Sequence, residues 1–315
     1  MSKELISFVI PSYNEERYIA NTLNKIKECV PAELPYEIIL VDHGSTDRTV
    51  DIASEYGLDI YHMTDTTIAG LRNYGVSKSG GDVLIFLDAD IELTQAWKES
   101  ILPVIECIRK GERILTGSWY SVPEKATWIE TVWFKPLQNL ENTHINSGHM
   151  IISMELFNSI GGFSEHLETG EDYDISMKAK ASGIKIIDNK ELVVIHHGYP
   201  KDILNFMKRE YWHGKGDAVD ISTLLKSKVA MLSLILLLAH VTFLLSLLFA
   251  EGPVLSLCSL AVILAIPITS SVVKYRGETG KTILGNAILY YFYFLARAMS
   301  SLNIFTMPKI IKRQR

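Results

Sequence analysis

Two hydrophobic patterns alternate along the front two-thirds of the chain. Continuous apolar blocks of strand length end in polar turns at Leu5–Tyr13 (LISFVIPSY), Glu37–Ser45 (EIILVDHGS), Leu58–Met63 (LDIYHM) and Asp82–Asp90 (DVLIFLDAD). Blocks of this kind predict buried strands. Between them, apolar residues recur at helical spacing. In Glu15–Val30 they are Tyr18, Ile19, Leu23 and Ile26, one stripe of an amphipathic helix. Thr46–Gly57 reads as a second helix, with Thr46 or Asp47 to cap it and Gly57 to end it. Thr67–Gly81 reads as a third, closing on two glycines. Four rounds of strand and helix with short links call for a parallel sheet covered on both faces. Ligands of such sheets sit at the carboxyl ends of the strands, where Asp42 and Asp88 both fall.

Beyond Leu93 the alternation loosens. Gln95–Gly111 predicts a helix, Arg113–Val122 a strand, and Thr127–Glu141 an aromatic-rich helix. Ile145–Ser153 predicts a strand, and Gly170–Gly183 a helix that opens with three acids. Ile184–Asn189 and Leu192–Gly198 predict two more strands. Pro200–Ala218 is amphipathic, with Ile203, Leu204, Phe206, Met207 and Tyr211 at helical spacing.

The pattern changes again at Lys228. Val229–Ala250 carries no formal charge, and His240 is its one ionisable group. Val254–Val273 is a second apolar run, with Pro267 as an expected kink. Each is long enough to cross a hydrocarbon layer of about 30 Å. The link EGP between them has no basic residue, whereas Lys226, Lys228, Lys274, Arg276 and Lys281 flank the pair. The positive-inside rule therefore puts both outer ends in the cytoplasm. The run Asn286–Phe305 fits either a third span or a helix lying at the surface. Arg297 and the basic tail KIIKRQR count against a span. The expected organisation is a cytosolic α/β domain at 1–200, an amphipathic interfacial region at 201–226 and a multi-pass membrane domain at 227–315.

Charge sharpens this division. The 315-residue chain has a net charge of −5, but residues 1–226 hold 22 basic and 34 acidic residues. From Lys228 onward there are nine Lys or Arg and two acids. An acidic front argues against nucleic-acid binding, and a basic apolar tail suits an anionic membrane face. Cys29, Cys107 and Cys258 show no metal or redox spacing and read as reduced. The N-terminal apolar run is too short for a signal peptide and passes directly into the first strand.

The candidate chemistry begins at Asp88 and Asp90. Residues two apart on an extended chain face the same way, so both carboxylates meet one space at the sheet edge. Two like charges there repel unless a cation joins them. Hard oxygen ligands with open positions favour Mg²⁺ or Mn²⁺. Pairs of this kind also occur in ordinary loops, and the strand-end position is what favours a metal.

The motifs VIPSYNEE (Val9–Glu16), VDHGSTDRT (Val41–Thr49), GLRN (Gly70–Asn73) and FLDAD (Phe86–Asp90) occur in order over the first 100 residues. GGF (Gly161–Phe163) and GEDYD (Gly170–Asp174) extend the series. The set resembles the family 2 glycosyltransferases of GT-A fold, a Rossmann-like nucleotide-diphospho-sugar transferase domain, here of the membrane-anchored bacterial type. The resemblance implies roles. Pro11, Tyr13 and Glu15 form the first nucleotide-contacting loop. Asp42 reads the base by accepting from an N–H, and Arg72 helps to hold the nucleotide. Asp90, helped by Asp88, binds Mn²⁺ or Mg²⁺ bridging the diphosphate, and His196 or His197 completes the metal site. Asp172 is the catalytic base and Glu171 its neighbour toward the acceptor. Asp174 reads instead as a helix-dipole partner. His43 departs from the family, which carries a second acid there.

Trp212 resembles the tryptophan lining the acceptor channel of processive relatives, but the Q-x-x-R-W pattern is absent. An interfacial aromatic is the alternative reading. The implied activity is inverting transfer of one sugar to a lipid-linked or polysaccharide acceptor at the cytoplasmic face, in cell-envelope polysaccharide synthesis. A UDP-sugar is the expected donor, with GDP and dTDP open. Two alternatives are a polyprenyl-phosphate glycosyltransferase with a phosphate acceptor, and a non-catalytic nucleotide-sugar-binding membrane scaffold. A dehydrogenase lacks its G-x-G-x-x-G.

Overall fold

The computed structural model describes residues 4–139, 142–217, 221–248 and 253–306. The chain divides into two compact units. The first holds 1–126 and 137–199, and the second holds 127–136 and 200–315.

The first unit is built on strands β1 (Ile6–Ser12), β2 (Tyr36–Asp42), β3 (Asp59–His62), β4 (Val83–Leu87), β5 (Ile91–Leu93), β6 (Ile114–Gly117), β7 (His149–Ser153), β8 (Lys185–Asp188) and β9 (Val194–His196). Seven form one sheet in the order β3-β2-β1-β4-β7-β6-β8, and β5 pairs with β9. β1 to β4 are parallel, as the alternation predicts. β7 runs antiparallel to both β4 and β6, so the sheet is mixed beyond β4.

The period of two sorts side chains to opposite faces. Ile6, Phe8 and Ile10 of β1 join Val83, Ile85 and Leu87 of β4 in one core cluster. Val9, Leu84 and Phe86 face the other. α1 (Ile19–Cys29) and α4 (Gln95–Arg109) cover the first face with Leu23, Ile26, Trp97 and Ile101. α3 (Ile68–Lys78), α5 (Met154–Ser159) and α6 (Glu171–Ala181) cover the second with Ala69, Leu156 and Ile175. Each fully buried Leu, Ile or Phe contributes about 1.5–3 kcal/mol. Thr67 caps α3 and Thr94 caps α4 through their hydroxyls. α2 (Thr49–Ser54) is short, and β6 ends at Gly117, five residues into the longer strand expected there.

The second unit contains α7 (Ile203–Asp217), α8 (Ile221–Lys226), α9 (Lys228–Leu248), α10 (Pro253–Lys274) and α11 (Gly280–Thr306). The helix expected over 127–141 is a π-helical turn, Glu130–Phe134, followed by a 3-10 turn, Lys135–Asn139. Its first half belongs to this unit. There Trp133 packs among Phe206, Tyr290 and Tyr293. Asn286 Nδ2 donates to the Val132 carbonyl at 2.8 Å, and Lys201 pairs with Glu130.

α9 and α10 are long and apolar enough to cross a membrane, with 17% and 22% of their most apolar windows buried. α11, which contains the run Asn286–Phe305, is not among the described helices long and apolar enough to cross a membrane; it buries Leu289, Tyr290, Phe294 and Ala298 and exposes Ile288, Met299 and Leu302. Arg297 is tolerated because Asp217 and Glu210 of α7 accept from its Nη1 and Nη2 at 2.6 and 3.0 Å. The link at 249–252 and the basic tail at 307–315 lie outside the described residues.

Candidate active site

At the end of β4 the chain turns through Asp88, Ala89 and Asp90 into β5. Three bonds fix this turn. Asp88 N donates to Gly148 O at 3.0 Å, Ile91 N to Asp88 O at 3.2 Å, and Thr22 Oγ1 to Ala89 O at 2.8 Å. β5 then pairs with β9 in the register Ile91↔His196. Asp90 Oδ2 consequently stands 3.3 Å from His196 Nε2. The pairing also separates the two histidines. His197 turns to Glu92, with Nε2 2.7 Å from Oε2, and stacks on Tyr18.

The second cluster forms around Arg72, which is 1% exposed. Its Nη2 donates to Asp88 Oδ1 at 2.7 Å and its Nη1 to Glu171 Oε1 at 2.9 Å. Ser147 Oγ donates to the same Glu171 oxygen at 2.9 Å. One guanidinium thus joins the turn after β4 to the first residue of α6. Burial opposes the Arg72 charge, but Asp88 and Glu171 outweigh it and raise its pKa. Burial raises Asp88, with Arg72 pulling it down and Asp90 pushing it up.

Asp172 follows Glu171 on α6, beyond the left-handed Gly170 at φ +83°. Burial first, and then the neighbouring Glu171, raise its pKa, while His144 at 3.9 Å lowers it. Asp174 points elsewhere, to Ser164 and Lys178, and is held below the usual carboxylate range.

Several of the expected site residues have protein partners of their own. Arg72 has both terminal nitrogens on carboxylates, so its guanidinium organises acids rather than lying open to a nucleotide. Glu171 is ion-paired inward, with its side chain 10% exposed, rather than facing an acceptor. Asp42 is 1% exposed and saturated by its own loop. Its Oδ2 accepts from Gly44 N and Ser45 N at 2.9 and 2.8 Å. Its Oδ1 accepts from Ser45 Oγ and Ser12 Oγ at 2.5 and 3.1 Å. Four bonds fill a carboxylate, so a base N–H would have to displace one of them.

Pro11 lies within β1 in register with Val41. Tyr13 is exposed, edge-on to His43. Glu15 N donates to Thr49 Oγ1 at 2.7 Å, tying the loop after β1 to the start of α2. Burial, and then the charges of Asp90, Asp88 and Asp47, push Glu15 up to about 8. A cleft of about 430 Å³ opens here, lined by Glu15, Tyr18, Asp47, Asp90 and Gly198 among others. Trp212 lies on α7 in the second unit and is 40% exposed.

His149 belongs to the core, with no exposed surface. Trp97 Nε1 donates to its Nε2 at 2.9 Å, and Ser118 N and Oγ lie 3.2 and 2.9 Å from its Nδ1. Burial pushes its pKa down to about 3, and it stays neutral.

The donor set suits a hard divalent ion. Ligands about 2.0–2.2 Å from such an ion and roughly at right angles are about 3 Å apart, close to the Asp90–His196 separation. Among the described residues no three His, Cys, Asp or Glu side chains stand in ligand geometry. Sequence reasoning missed Tyr120, Ser147, Gly148 and Gly198 around this set. A single tyrosine, serine or glycine carries no signal without its neighbours.

Residues 7–159 match the family model Glycosyl transferase family 2. The chain is 26% identical over 224 residues to glycosyltransferase AglE of Haloferax volcanii, covering 67% of this chain and 72% of that protein. It is 32% identical over 120 residues to a dolichol-phosphate mannosyltransferase of Pyrococcus furiosus, covering 36% of this chain and 33% of that one. Among solved structures, the mannosyltransferase PcManGT from Pyrobaculum calidifontis, in complex with GDP-Man and Mn²⁺, superposes with a TM-score of 0.56. That likeness covers 95% of this chain and 87% of the other at 14% identity, and it establishes the fold. Residues 7–159, from β1 through α5, therefore carry a glycosyl transferase family 2 domain on a GT-A-like sheet.

Proposed function

We propose that the chain is an inverting glycosyltransferase. It moves one sugar from a nucleoside diphosphate sugar, expected to be a UDP-sugar, to a hydroxyl of a lipid-linked or polysaccharide acceptor. The observation that carries this reading is the convergence at one sheet edge. Asp90 faces His196, and Arg72 draws Asp88 to the residue preceding Asp172.

In this reading Asp90 and His196, with Asp88 beside them, hold Mn²⁺ or Mg²⁺. The ion, when bound, offsets the negative charge that develops on the departing diphosphate. Asp172 acts as general base. An acceptor oxygen attacks the anomeric carbon from the face opposite the diphosphate. As the new C–O bond forms, the sugar–phosphate C–O bond breaks and its electron pair leaves with the nucleoside diphosphate. The acceptor proton passes to an Asp172 carboxylate oxygen. A carboxyl pKa raised by burial and Glu171 suits a base that must take a proton. Arg72 offsets part of the charge of Asp88 and Glu171, and the remainder, with burial, keeps the Asp172 pKa raised. Glu15 and Tyr13 border the nucleotide side. α9 and α10 would hold the chain at a membrane, with the catalytic unit on the cytoplasmic side, which suits a lipid-borne acceptor.

The test is nucleoside diphosphate release from a panel of UDP-, GDP- and dTDP-sugars, with EDTA and then with added Mn²⁺. Loss on chelation, recovery with metal, and loss in Asp90→Ala and Asp172→Asn are expected. Full transfer by the double variant overturns the assignment.

A further inference from the structure

Tyr120 takes no part in the roles above, yet it touches both halves of the site. It follows β6 on a segment stitched to β9. Ser121 N donates to Val194 O at 2.7 Å, and His196 N donates to Ser121 O at 3.0 Å. This places the Tyr120 ring flat against the imidazole of His196, with centroids 5.1 Å apart and an interplanar angle of 12°. Tyr199 also lies against the imidazole, at 4.2 Å and 50°.

The phenol oxygen reaches the other cluster. A Cβ on Gly148 would lie 2.4 Å from Tyr120 Oη and 2.1 Å from Asp88 Oδ2. Both atoms therefore converge over the bare Cα of Gly148, and a side chain there would fill the gap between them. Burial, followed by the charges of Asp88 and Tyr199, keeps the phenol well above its ordinary pKa.

The imidazole of His196 meets Asp90 at one edge and also contacts the rings of Tyr120 and Tyr199. Asp90 bears on the edge that carries Nε2, and an edge contact alone leaves the tilt free. A parallel aromatic face removes that freedom. Partners that orient a ligating histidine affect metal affinity nearly as strongly as ligands do.

We propose that Tyr120 is a positioning residue of the cation side of the site: its ring fixes the plane of His196 so that Nε2 faces Asp90 Oδ2. The hydroxyl has the lesser role of filling the space above Gly148 beside Asp88. This inference rests on the reading of Asp90 and His196 as a divalent-cation pair.

The test measures Mn²⁺ binding to the full-length protein without donor, by the electron paramagnetic resonance signal of free Mn²⁺. Tyr120→Phe keeps the ring and is expected to bind within about threefold of the native protein. Tyr120→Leu removes the ring and is expected to bind roughly 10–100-fold more weakly, the range seen for outer partners of metal ligands. His196→Ala should weaken binding similarly, and Tyr120→Leu added to it should cost little more, since the ring acts through His196. Should Tyr120→Leu fail to fold, Tyr120→Met, of similar reach without a planar face, carries the same expectation. Native affinity in the ring-deleted variant, while Asp90→Ala and His196→Ala lose it, overturns the proposal. So does a Tyr120→Phe variant as weak as Tyr120→Leu. Native affinity in Asp90→Ala and His196→Ala would instead sink the cation reading itself.

Discussion

Gly198→Ala tests whether the position of one carboxylate governs turnover. Gly198 does not have a left-handed φ, so its backbone would accept alanine. The obstacle is Asp90. An added Cβ would lie 1.8 Å from Asp90 Oδ2 and 3.0 Å from its Cγ. Ordinary contact begins near 3.4 Å, so the oxygen must retreat by about 1.6 Å. The main chain cannot easily follow, because His197 N donates to Asp90 O at 3.0 Å and holds the turn. The side chain must rotate instead, and the 3.3 Å pairing with His196 opens. A misplacement of about 1 Å in a catalytic constellation costs on the order of 10²-fold. We expect kcat/KM for transfer to fall at least about 100-fold, and more Mn²⁺ to be needed for half-maximal rate. The thermal midpoint should move little, since no core side chain is displaced. Gly280→Ala is the control, with nothing within 4 Å of the new methyl group. Native kcat/KM with unchanged Mn²⁺ dependence in Gly198→Ala would refute the reasoning.

Two further outcomes concern stability. Arg72→Gln leaves Asp88 and Glu171 without their shared cation at a site where the arginine is 1% exposed. Removing one partner of a buried pair costs about 3 kcal/mol, or roughly 6–12 °C in the midpoint; a melting curve unchanged from native would show that the bridge is not structural. His149 is the pH-dependent case. Its folded pKa of about 3 lies below the ordinary 6.5, so the unfolded chain takes up a proton that the folded chain refuses between those values. Stability should therefore fall as pH drops from 6.5 toward 3, by up to about 1.4 kcal/mol per unit. In His149→Gln the slope of unfolding free energy against pH should flatten over that range, and a slope equal to the native one would exclude His149 as its source.

What the sequence disclosed follows from the range of the forces involved. β4 was legible because five consecutive apolar residues ending at Asp88 can only be a strand buried on both faces. α6 was legible from Gly170 and the acids of its first turn. These are local signals. The choice between His196 and His197 was not local. Neighbours on a strand point to opposite faces, and only the pairing of β9 with β5 decides which face holds Asp90. The antiparallel β7 was hidden for the same reason, since an apolar run does not record its direction. The run Asn286–Phe305 stayed open because hydropathy counts apolar residues without saying what covers them. In α11 one face is covered by protein, and Glu210 and Asp217 answer Arg297 from a helix some eighty residues earlier.

The Arg72 bridge shows most clearly what a motif conceals. GLRN, FLDAD and GEDYD each look like separate ligand-binding elements when read along the chain. In the fold, one member of each closes on the others, as arginine from α3, aspartate after β4 and glutamate opening α6. A guanidinium can do this because its terminal nitrogens diverge in a fixed plane and direct two bonds at once; an ammonium would supply the charge without the geometry. The consequence is a division of labour within each acidic pair. Asp88 and Glu171 are committed to the arginine, which fixes the turn after β4 and the start of α6. Their neighbours face other groups, Asp90 toward His196 and Asp172 toward Tyr173 N and His144. The acids that define the motifs therefore fall into two kinds: those that hold the sheet edge together, and those that the proposed mechanism uses.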